Sequence, residues 1–242
     1  TTAQTVQKMY IGFYGRGADV DGLAFWVGKL GDSADTTAIR ESFSTSTEAV
    51  TLFGGKTDSA TVTAIYVQTF GRNPDALGLK FYEDALTAKT MTKAEIAANI
   101  IDGATGADAA IVSNKLEVAE LFTAAMDTEA KKAAYAGDGA ATAARENLAT
   151  VGVATIPASF DFATTITSMV STAAAAVAAF EAAAVVHAAA VTAYDAAIVV
   201  AAASTVAAAT AAATVTTVAL STASQTAAAT AVTDATAVTT AA

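Results

Sequence analysis

Two arginine–aspartate pairs are the residues whose type and spacing could support binding chemistry. Arg16 stands three positions before Asp19, and Arg72 stands three positions before Asp75. A guanidinium offers a planar fork of donors that suits carboxylate groups, whereas an aspartate after a turn caps the helix that follows it. The spacing therefore allows either a local turn with a capping aspartate or a ligand held by arginine.

The ligand hypothesis adds aromatic side chains to these pairs. Aromatic faces beside hydrogen-bonding groups would suit a sugar, and the candidate sugar-binding residues are Tyr14, Arg16, Trp26, Arg72 and Tyr82. The alternative is that these aromatic rings form the core, which we favour for Trp26 and Tyr82.

Metal and catalytic chemistry find little support. If Gly22 is the sixth residue of an EF-hand loop, glycine occupies both end-ligand positions, Gly17 and Gly28, so we reject that site. The chain has no cysteine, and its one histidine, His187, lies on an apolar stripe, where we expect a core or interface residue. No Asp/Glu pair stands out for a glycosidase. We therefore expect no enzyme, no metal and no cofactor in this region.

The same pattern occurs twice at a constant offset of 56. Residues 10–30 are YIGFYGRGADVDGLAFWVGKL, and residues 66–86 are YVQTFGRNPDALGLKFYEDAL. A fixed period indicates one structural unit in tandem, and a catalytic set rarely occurs in neighbouring copies. The matched structural positions are Gly15 and Gly71, Asp19 and Asp75, Gly22 and Gly78, Leu23 and Leu79, and Phe25 and Phe81.

Apolar spacing predicts that each unit is helical. Steps of three and four along the first helix separate the apolar residues Val6, Met9, Tyr10, Phe13 and Tyr14. The second copy repeats this pattern with Val62, Ile65, Tyr66 and Phe70. A left-handed glycine, Gly15 or Gly71, should end the first helix of each copy. A second helix should follow at 22–30 in the first copy and at 78–88 in the second. Residues Thr92–Glu95 have the form of a capping box that opens a third helix in the second copy. We align the closing segments 48–53 and 117–122, at an offset of 69, which implies an insertion near 103–115.

The chain changes character near residue 150. From Val153 onward there is no glycine, and alanine, threonine, serine and valine dominate. A stripe of mostly apolar residues from Phe162 to Ile198 has an average step of 3.6, the period of an α-helix. We therefore predict a helix with Ser159 as its N-cap. The residues predicted to face protein are Phe162, Ile166, Met169, Phe180, His187 and Tyr194. Beyond 198 we leave open one helix, a hairpin or a disordered tract. The covering partner could be the first half, a neighbouring subunit or more of a longer protein.

Composition limits the classes of partner. The net charge of -10 and the absence of lysine and arginine after Arg145 disfavour nucleic acid and anionic membranes. The stretch 196–220 lacks charge but consists largely of alanine and threonine, so we expect no membrane span. The N-terminus lacks the pattern of a signal peptide.

These observations define an all-α chain in four parts. We predict one helical repeat unit at 1–56, a second with an insertion at 57–150, a linker at 151–158 and an Ala/Thr/Val-rich helical segment at 159–242.

The motif Gly-Arg-x2-Asp-x2-Gly-Leu-x-Phe-[Trp/Tyr] resembles a small helical domain of unknown function. That domain is widespread in bacterial S-layer and RTX-type secreted proteins and looks distantly related to phycobilisome linker domains. In the S-layer-like proteins, an Ala/Thr/Val-rich helical stretch and calcium-binding repeats follow it. The resemblance implies a non-catalytic, extracellular region that anchors a surface layer, with type I secretion and with calcium bound elsewhere in a parent protein.

The resemblance also implies partners. We expect attachment to outer-membrane lipopolysaccharide or to neighbouring subunits, and self-association. The alternative is an adhesin or ice-binding-type protein that uses its Thr/Ala-rich helix as a recognition face, although its threonines lack a strict eleven-residue repeat.

Overall fold

A computed structural model describes residues 1–33 and 35–240, and side chains up to residue 227 except that of residue 220. The described residues contain eleven α-helices, one 3-10 turn and no strand, which confirms the all-α fold class. The helices are α1 Thr2–Tyr14, α2 Val20–Leu30, α3 Thr37–Thr45, α4 Thr47–Phe53, α5 Asp58–Phe70, α6 Ala76–Thr87, α7 Lys93–Asp102, α8 Gly106–Ala125, α9 Glu129–Ala134, α10 Gly137–Ala149 and α11 Ala163–Thr240, with the 3-10 turn at Pro157–Ser159.

The chain divides into two compact units, Thr1–Ala176 and Val177–Ala242. The first unit contains α1 to α10 and the first turns of α11. The described part of the second unit is helix throughout, so within that unit no further element offers a surface to pack against.

Helix α1 is central to the first unit and packs against α2, α5, α7 and α8. The predicted apolar stripe is confirmed in both copies, because Val6 and Val62 are fully buried and so is Ile65, the counterpart of Met9. Burial of this stripe removes apolar area from water, which is the main favourable term in folding. The two copies therefore share one core, with the first helix of each copy inside it.

The turn chemistry of the motif is confirmed at each predicted position. Gly15 and Gly71 end α1 and α5 with φ of 70° and 73°, in the left-handed region that favours glycine. Asp19 accepts a hydrogen bond from the Gly22 amide at 2.7 Å, and Asp75 accepts one from the Gly78 amide at 2.8 Å. These amide bonds lower the pKa of Asp75. The aspartates are thus N-caps of α2 and α6.

Gly22 and Gly78 are required by a tyrosine of the preceding helix. A Cβ atom at Gly22 would lie 2.5 Å from the hydroxyl of Tyr10, and one at Gly78 would lie 2.9 Å from the hydroxyl of Tyr66. The glycine therefore lets the tyrosine hydroxyl approach the start of the second helix. This explains why tyrosine and glycine recur together at the offset of 56.

The alignment of segments 48–53 and 117–122 is wrong. Arg16 pairs with Glu48 at the start of α4, but Arg72 pairs with Asp108 at the start of α8, so the counterpart of Glu48 is Asp108. The offset between these acids is 60, only four more than the motif offset. A longer α8 replaces the short α4, and Glu117 lies well inside it.

The start of α11 also differs from the prediction. Ser159 closes a 3-10 turn, and the helix begins at Ala163, after Asp161 accepts a hydrogen bond from the Thr164 amide at 3.3 Å. Proline at 157 favours this separate turn because its fixed φ suits a first helical position. Ile166 and Met169 are buried as predicted.

Further along α11, three of the side chains predicted to face protein are exposed in the single chain, and their cover by a partner stays a prediction. Phe180 is 76% exposed and Tyr194 is 68% exposed, and His187 is exposed as well. These three residues belong to the second unit, which within itself offers no layer to cover them. The helix itself runs unbroken to Thr240.

We predict that Gly22→Ala lowers the free energy of unfolding by about 1 to 3 kcal/mol, because the clash with Tyr10 outweighs the helix propensity of alanine. Tyr10→Phe removes the clashing hydroxyl, so the double variant should recover part of the loss. The rest should remain, because the Asp19 carboxylate oxygens lie 2.8 Å from the same Cβ position. Urea unfolding of the four proteins in this cycle gives the coupling energy. Additive effects of the two substitutions would contradict the proposed contact.

Candidate functional site

The first arginine centre consists of Arg16, Glu48, Tyr135 and Arg145. Arg16 donates from Nε and Nη2 to the two carboxylate oxygens of Glu48, at 2.8 and 2.7 Å. Its Nη1 donates to the Gly17 carbonyl at 3.0 Å and to the Tyr135 hydroxyl at 3.3 Å. Such bidentate, charge-assisted bonds are among the strongest in proteins. They join the turn after α1 to α4 and to the end of α9.

The second arginine centre, Arg72 with Asp108, repeats this geometry. Arg72 donates from Nε to one carboxylate oxygen of Asp108 at 3.1 Å and from Nη2 to the other. Its Nη1 donates to the Asn73 carbonyl at 3.0 Å. Each guanidinium also lies near two aromatic rings of the preceding helix, at 5.2 and 5.5 Å for Arg16 and at 5.6 and 5.5 Å for Arg72. Arg16 lies near a third ring, that of Tyr135, at 5.3 Å. The two arginines thus occupy equivalent places in the two copies.

The two centres differ in what covers them. At the first centre, Tyr135 donates to the Gly17 carbonyl at 2.7 Å, and Arg145 of α10 donates to Glu48 at 2.8 Å. Burial raises the pKa of Tyr135, so its hydroxyl stays protonated. The Arg16 side chain is 11% exposed, whereas the Arg72 side chain is 46% exposed. The first centre is closed by protein and the second is open.

A polar pocket of about 340 Å³ lies beside the first centre, lined by Arg16, Asp19, Asp21, Lys132 and Tyr135. Four of the five N–H groups of Arg16 already have protein acceptors, since Nη1 donates twice. The pocket can therefore offer a ligand carboxylates and a lysine, but little of its arginine.

The second centre adjoins a partly exposed aromatic row, which we call the Arg72 surface: Arg72, Tyr66, Tyr82 and Phe81. The Tyr66 and Tyr82 ring centroids are 6.4 Å apart, and those of Phe81 and Tyr82 are 5.0 Å apart. Phe81 is 58% exposed. Arg72 makes three hydrogen bonds, which leaves two N–H groups on a half-exposed side chain. Donors beside aromatic faces are what a sugar ring requires.

The five predicted sugar contacts do not form one site. Tyr14 is buried, and its hydroxyl hydrogen-bonds to Ser46 at 2.9 Å, while burial raises its pKa to about 12. Trp26 is half-buried against Phe43. Tyr14 and Arg16 are in contact, at 5.5 Å, but both are buried. Arg72 and Tyr82 both lie against Tyr66, and both side chains are partly exposed.

The partners of both arginines come from distant parts of the sequence and were not predicted. Glu48, Asp108 and Tyr135 lie 32, 36 and 119 residues from the arginines they contact. The available signal was an acidic residue near the start of the helix that closes each copy, α4 or α8. In the second copy the predicted counterpart of Glu48 was Glu117, whereas the structure shows Asp108.

Gln68 links the two copies, and a buried lysine of the second copy bonds to its backbone. Gln68 donates to the carbonyls of Gly12 and Phe13 at the end of α1, at 2.6 and 2.9 Å. Lys115 of α8 is 1% exposed and donates to the Gln68 carbonyl at 2.7 Å. Burial lowers its pKa to about 8 because the charged form loses its hydration.

Two general findings concern metals and membranes. Among the residues that the structure describes, no group of three or more His, Asp or Glu side chains is placed to hold a metal ion. Residues Ala163–Ala227 are long and apolar enough to cross a membrane by length and composition, with a mean hydropathy of 1.9 in an 18-residue window. A helix that pairs with other helices in water passes the same test.

These features define an all-α protein with a tandem repeat built around arginine-centred turns. Residues 1–53 and residues 41–105 each match the family model described as Domain of unknown function (DUF4214). The two matches support two copies of a domain of unknown function. No curated protein and no solved structure matches the chain.

We predict that the two centres differ in their contribution to stability. Arg16→Lys should lower the free energy of unfolding by about 2 to 3 kcal/mol, because a buried bidentate bond to Glu48 is lost. The matched variant Arg72→Lys should lower it by at most about 1 kcal/mol, because that centre is open to solvent. Equal losses in urea unfolding would show that the coverage by Tyr135 and Arg145 is energetically irrelevant.

We also predict a pH dependence that arises from Lys115. Above pH 8 the unfolded chain holds more protons at this residue than the folded chain, so stability should rise up to about pH 9.5, by about 1 to 2 kcal/mol. Burial raises the pKa of Tyr10 and Tyr14, so the unfolded chain loses tyrosine protons first and stability falls above pH 10. Urea unfolding from pH 7 to 9.5 should show the rise in the wild type and a flat profile in Lys115→Met; identical profiles would refute the assignment.

Proposed function

We propose that this chain is a non-catalytic anchoring and assembly region of a bacterial cell-surface protein of the S-layer type. It would attach to outer-membrane lipopolysaccharide through its repeat unit and to neighbouring copies through its second unit. The S-layer and type I secretion context comes from the motif resemblance alone. The location is accordingly extracellular.

The observation that carries this proposal is the half-exposed guanidinium of Arg72. At the equivalent position, Arg16 is covered by Tyr135 and Arg145, so the fold has a way to close such a centre and does not use it at Arg72. The two remaining N–H donors of Arg72 suit sugar hydroxyls or an acidic sugar substituent. The rings of Tyr82 and Phe81 provide apolar faces for the sugar ring.

Charge indicates how such binding would work. A net charge of -10 repels an anionic surface at long range, so recognition must depend on short-range contacts. This favours a compact patch of donors and aromatic rings over a broad basic surface. The Arg72 surface is such a patch.

The adhesin or ice-binding alternative is disfavoured by the threonine hydroxyls. Those of Thr205, Thr210, Thr214 and Thr217 each donate to the carbonyl four residues earlier in the helix, at 2.9 Å. Each hydroxyl therefore retains only acceptor capacity toward an outside ligand.

Binding to purified lipopolysaccharide tests the sugar half of the proposal. Arg72→Gln removes the guanidinium and should weaken binding by at least about fivefold. Lys80→Gln removes an equal charge from α6, the helix that carries Phe81 and Tyr82, and should have little effect. Calorimetry or a vesicle-free sedimentation assay measures both. Equal binding by the two variants would refute the Arg72 surface, and no binding by the wild type would refute attachment to lipopolysaccharide.

A further inference from the structure

The part of α11 in the second unit exposes a set of large side chains. Val177, Phe180, Val191, Tyr194 and Ile198 are between 45% and 76% exposed. One helix cannot bury its own apolar stripe, and exposed apolar stripes of this length usually mark an interface.

The spacing of these residues is that of a coiled coil. From residue 177 to residue 198 the large or seam residues step strictly by three and four, at 177, 180, 184, 187, 191, 194 and 198. This is a repeat of 3.5, which keeps one seam facing a partner helix in a left-handed supercoil. In heptad terms Val177, Ala184, Val191 and Ile198 are a positions, and Phe180, His187 and Tyr194 are d positions.

The acidic residues favour one orientation. Glu181 and Asp195 both occupy e positions, and every g position from 176 to 197 is alanine. In a parallel pair, e positions face g positions of the other helix, so each acid faces an alanine. In the antiparallel pair that places Ala184 opposite the partner's Tyr194, Glu181 lies within one turn of the partner's Asp195, and the like charges repel.

We infer that residues 177–198 form a parallel, in-register coiled coil with a second copy of this chain. This deepens the assembly half of the proposed function and rests on it. His187 is the one polar side chain in the seam. In this register it faces the partner's His187 between flanking alanines and valines, with no carboxylate beside it, so a buried polar pair fixes the register at a cost in stability.

A membrane is the competing partner for an apolar helix. If residues 177–198 crossed the bilayer, however, Glu181 and Asp195 would both enter it. The insertion free energy of an acidic side chain is about 3 kcal/mol at the bilayer centre and smaller near the surface. In a coiled coil both acids stay at the solvated margin of the seam.

The absence of native cysteine allows a direct test of the register. In a parallel, in-register pair, an a position lies opposite itself within the span that a disulfide can bridge, so full-length Ala184→Cys should convert largely to a disulfide-linked dimer under mild oxidation. Ala182→Cys, at an outer f position, is the control and should remain mostly unlinked. An antiparallel pair would place the partner's Tyr194 opposite residue 184, so equal or absent linkage in the two variants overturns the inference.

Sedimentation of full-length variants tests the seam itself. Val191→Asp puts a charge in the seam and should weaken dimerisation by at least about tenfold, whereas Val186→Asp, on the outer face, should change it less than about twofold. Equal weakening of dimerisation by the two variants would overturn the inference that Val191 lies in the seam. His187→Leu should tighten the dimer, because it replaces the polar pair in the seam with apolar side chains.

The remaining outcomes separate the two proposals. A chain that stays monomeric but floats with neutral phosphatidylcholine vesicles overturns the coiled coil in favour of a membrane. A monomer that still binds lipopolysaccharide through Arg72 overturns only this inference. A dimer that ignores lipopolysaccharide overturns only the sugar half of the proposed function.

Discussion

The bidentate ion pair between Arg16 and Glu48 is the interaction on which the first unit depends. It attaches the turn after α1 to the start of α4, and Glu48 also accepts from Arg145 of α10 while Arg16 donates to Tyr135 after α9. Segments more than ninety residues apart therefore meet at one carboxylate. Because both charges are largely buried, loss of Glu48 would leave Arg16 with only the Asp19 carboxylate, 3.8 Å away, whereas loss of Arg16 would leave Glu48 paired with Arg145 alone.

The tandem repeat supplies its own internal comparison. The second copy keeps the arginine, the capping aspartate, the tyrosine–glycine contact and the paired carboxylate, but it lacks the covering tyrosine and second arginine. The same turn chemistry is thus used once as a structural joint and once at a half-exposed surface. This difference, not the motif itself, is what supports a role in binding.

Local features could be predicted from the sequence and distant ones could not. Gly15, Asp19 and Gly22 form a turn within eight residues, so residue type and spacing determine the left-handed cap, the N-cap and the close approach of Tyr10. Glu48 and Tyr135 reach Arg16 from far along the chain, and no pattern near Arg16 identifies them. The predicted start of α11 was wrong because Ser159 and Asp161 are both good N-cap residues. Ser159 instead belongs to a separate 3-10 turn that begins at Pro157. The cover over Phe180 stays a prediction, because a periodic stripe reveals that a partner is needed without revealing which molecule provides it.

The closed and open states of the two centres can be compared directly by NMR of the arginine side chains, since the chain has only Arg16, Arg40, Arg72 and Arg145. The Nε–H group of Arg16 should be protected from exchange with solvent, and that of Arg72 should exchange faster. Addition of lipopolysaccharide-derived oligosaccharide should shift the Arg72 signal and leave the Arg16 signal unchanged. Equal protection of the two groups, or a shift confined to Arg16, would contradict this account.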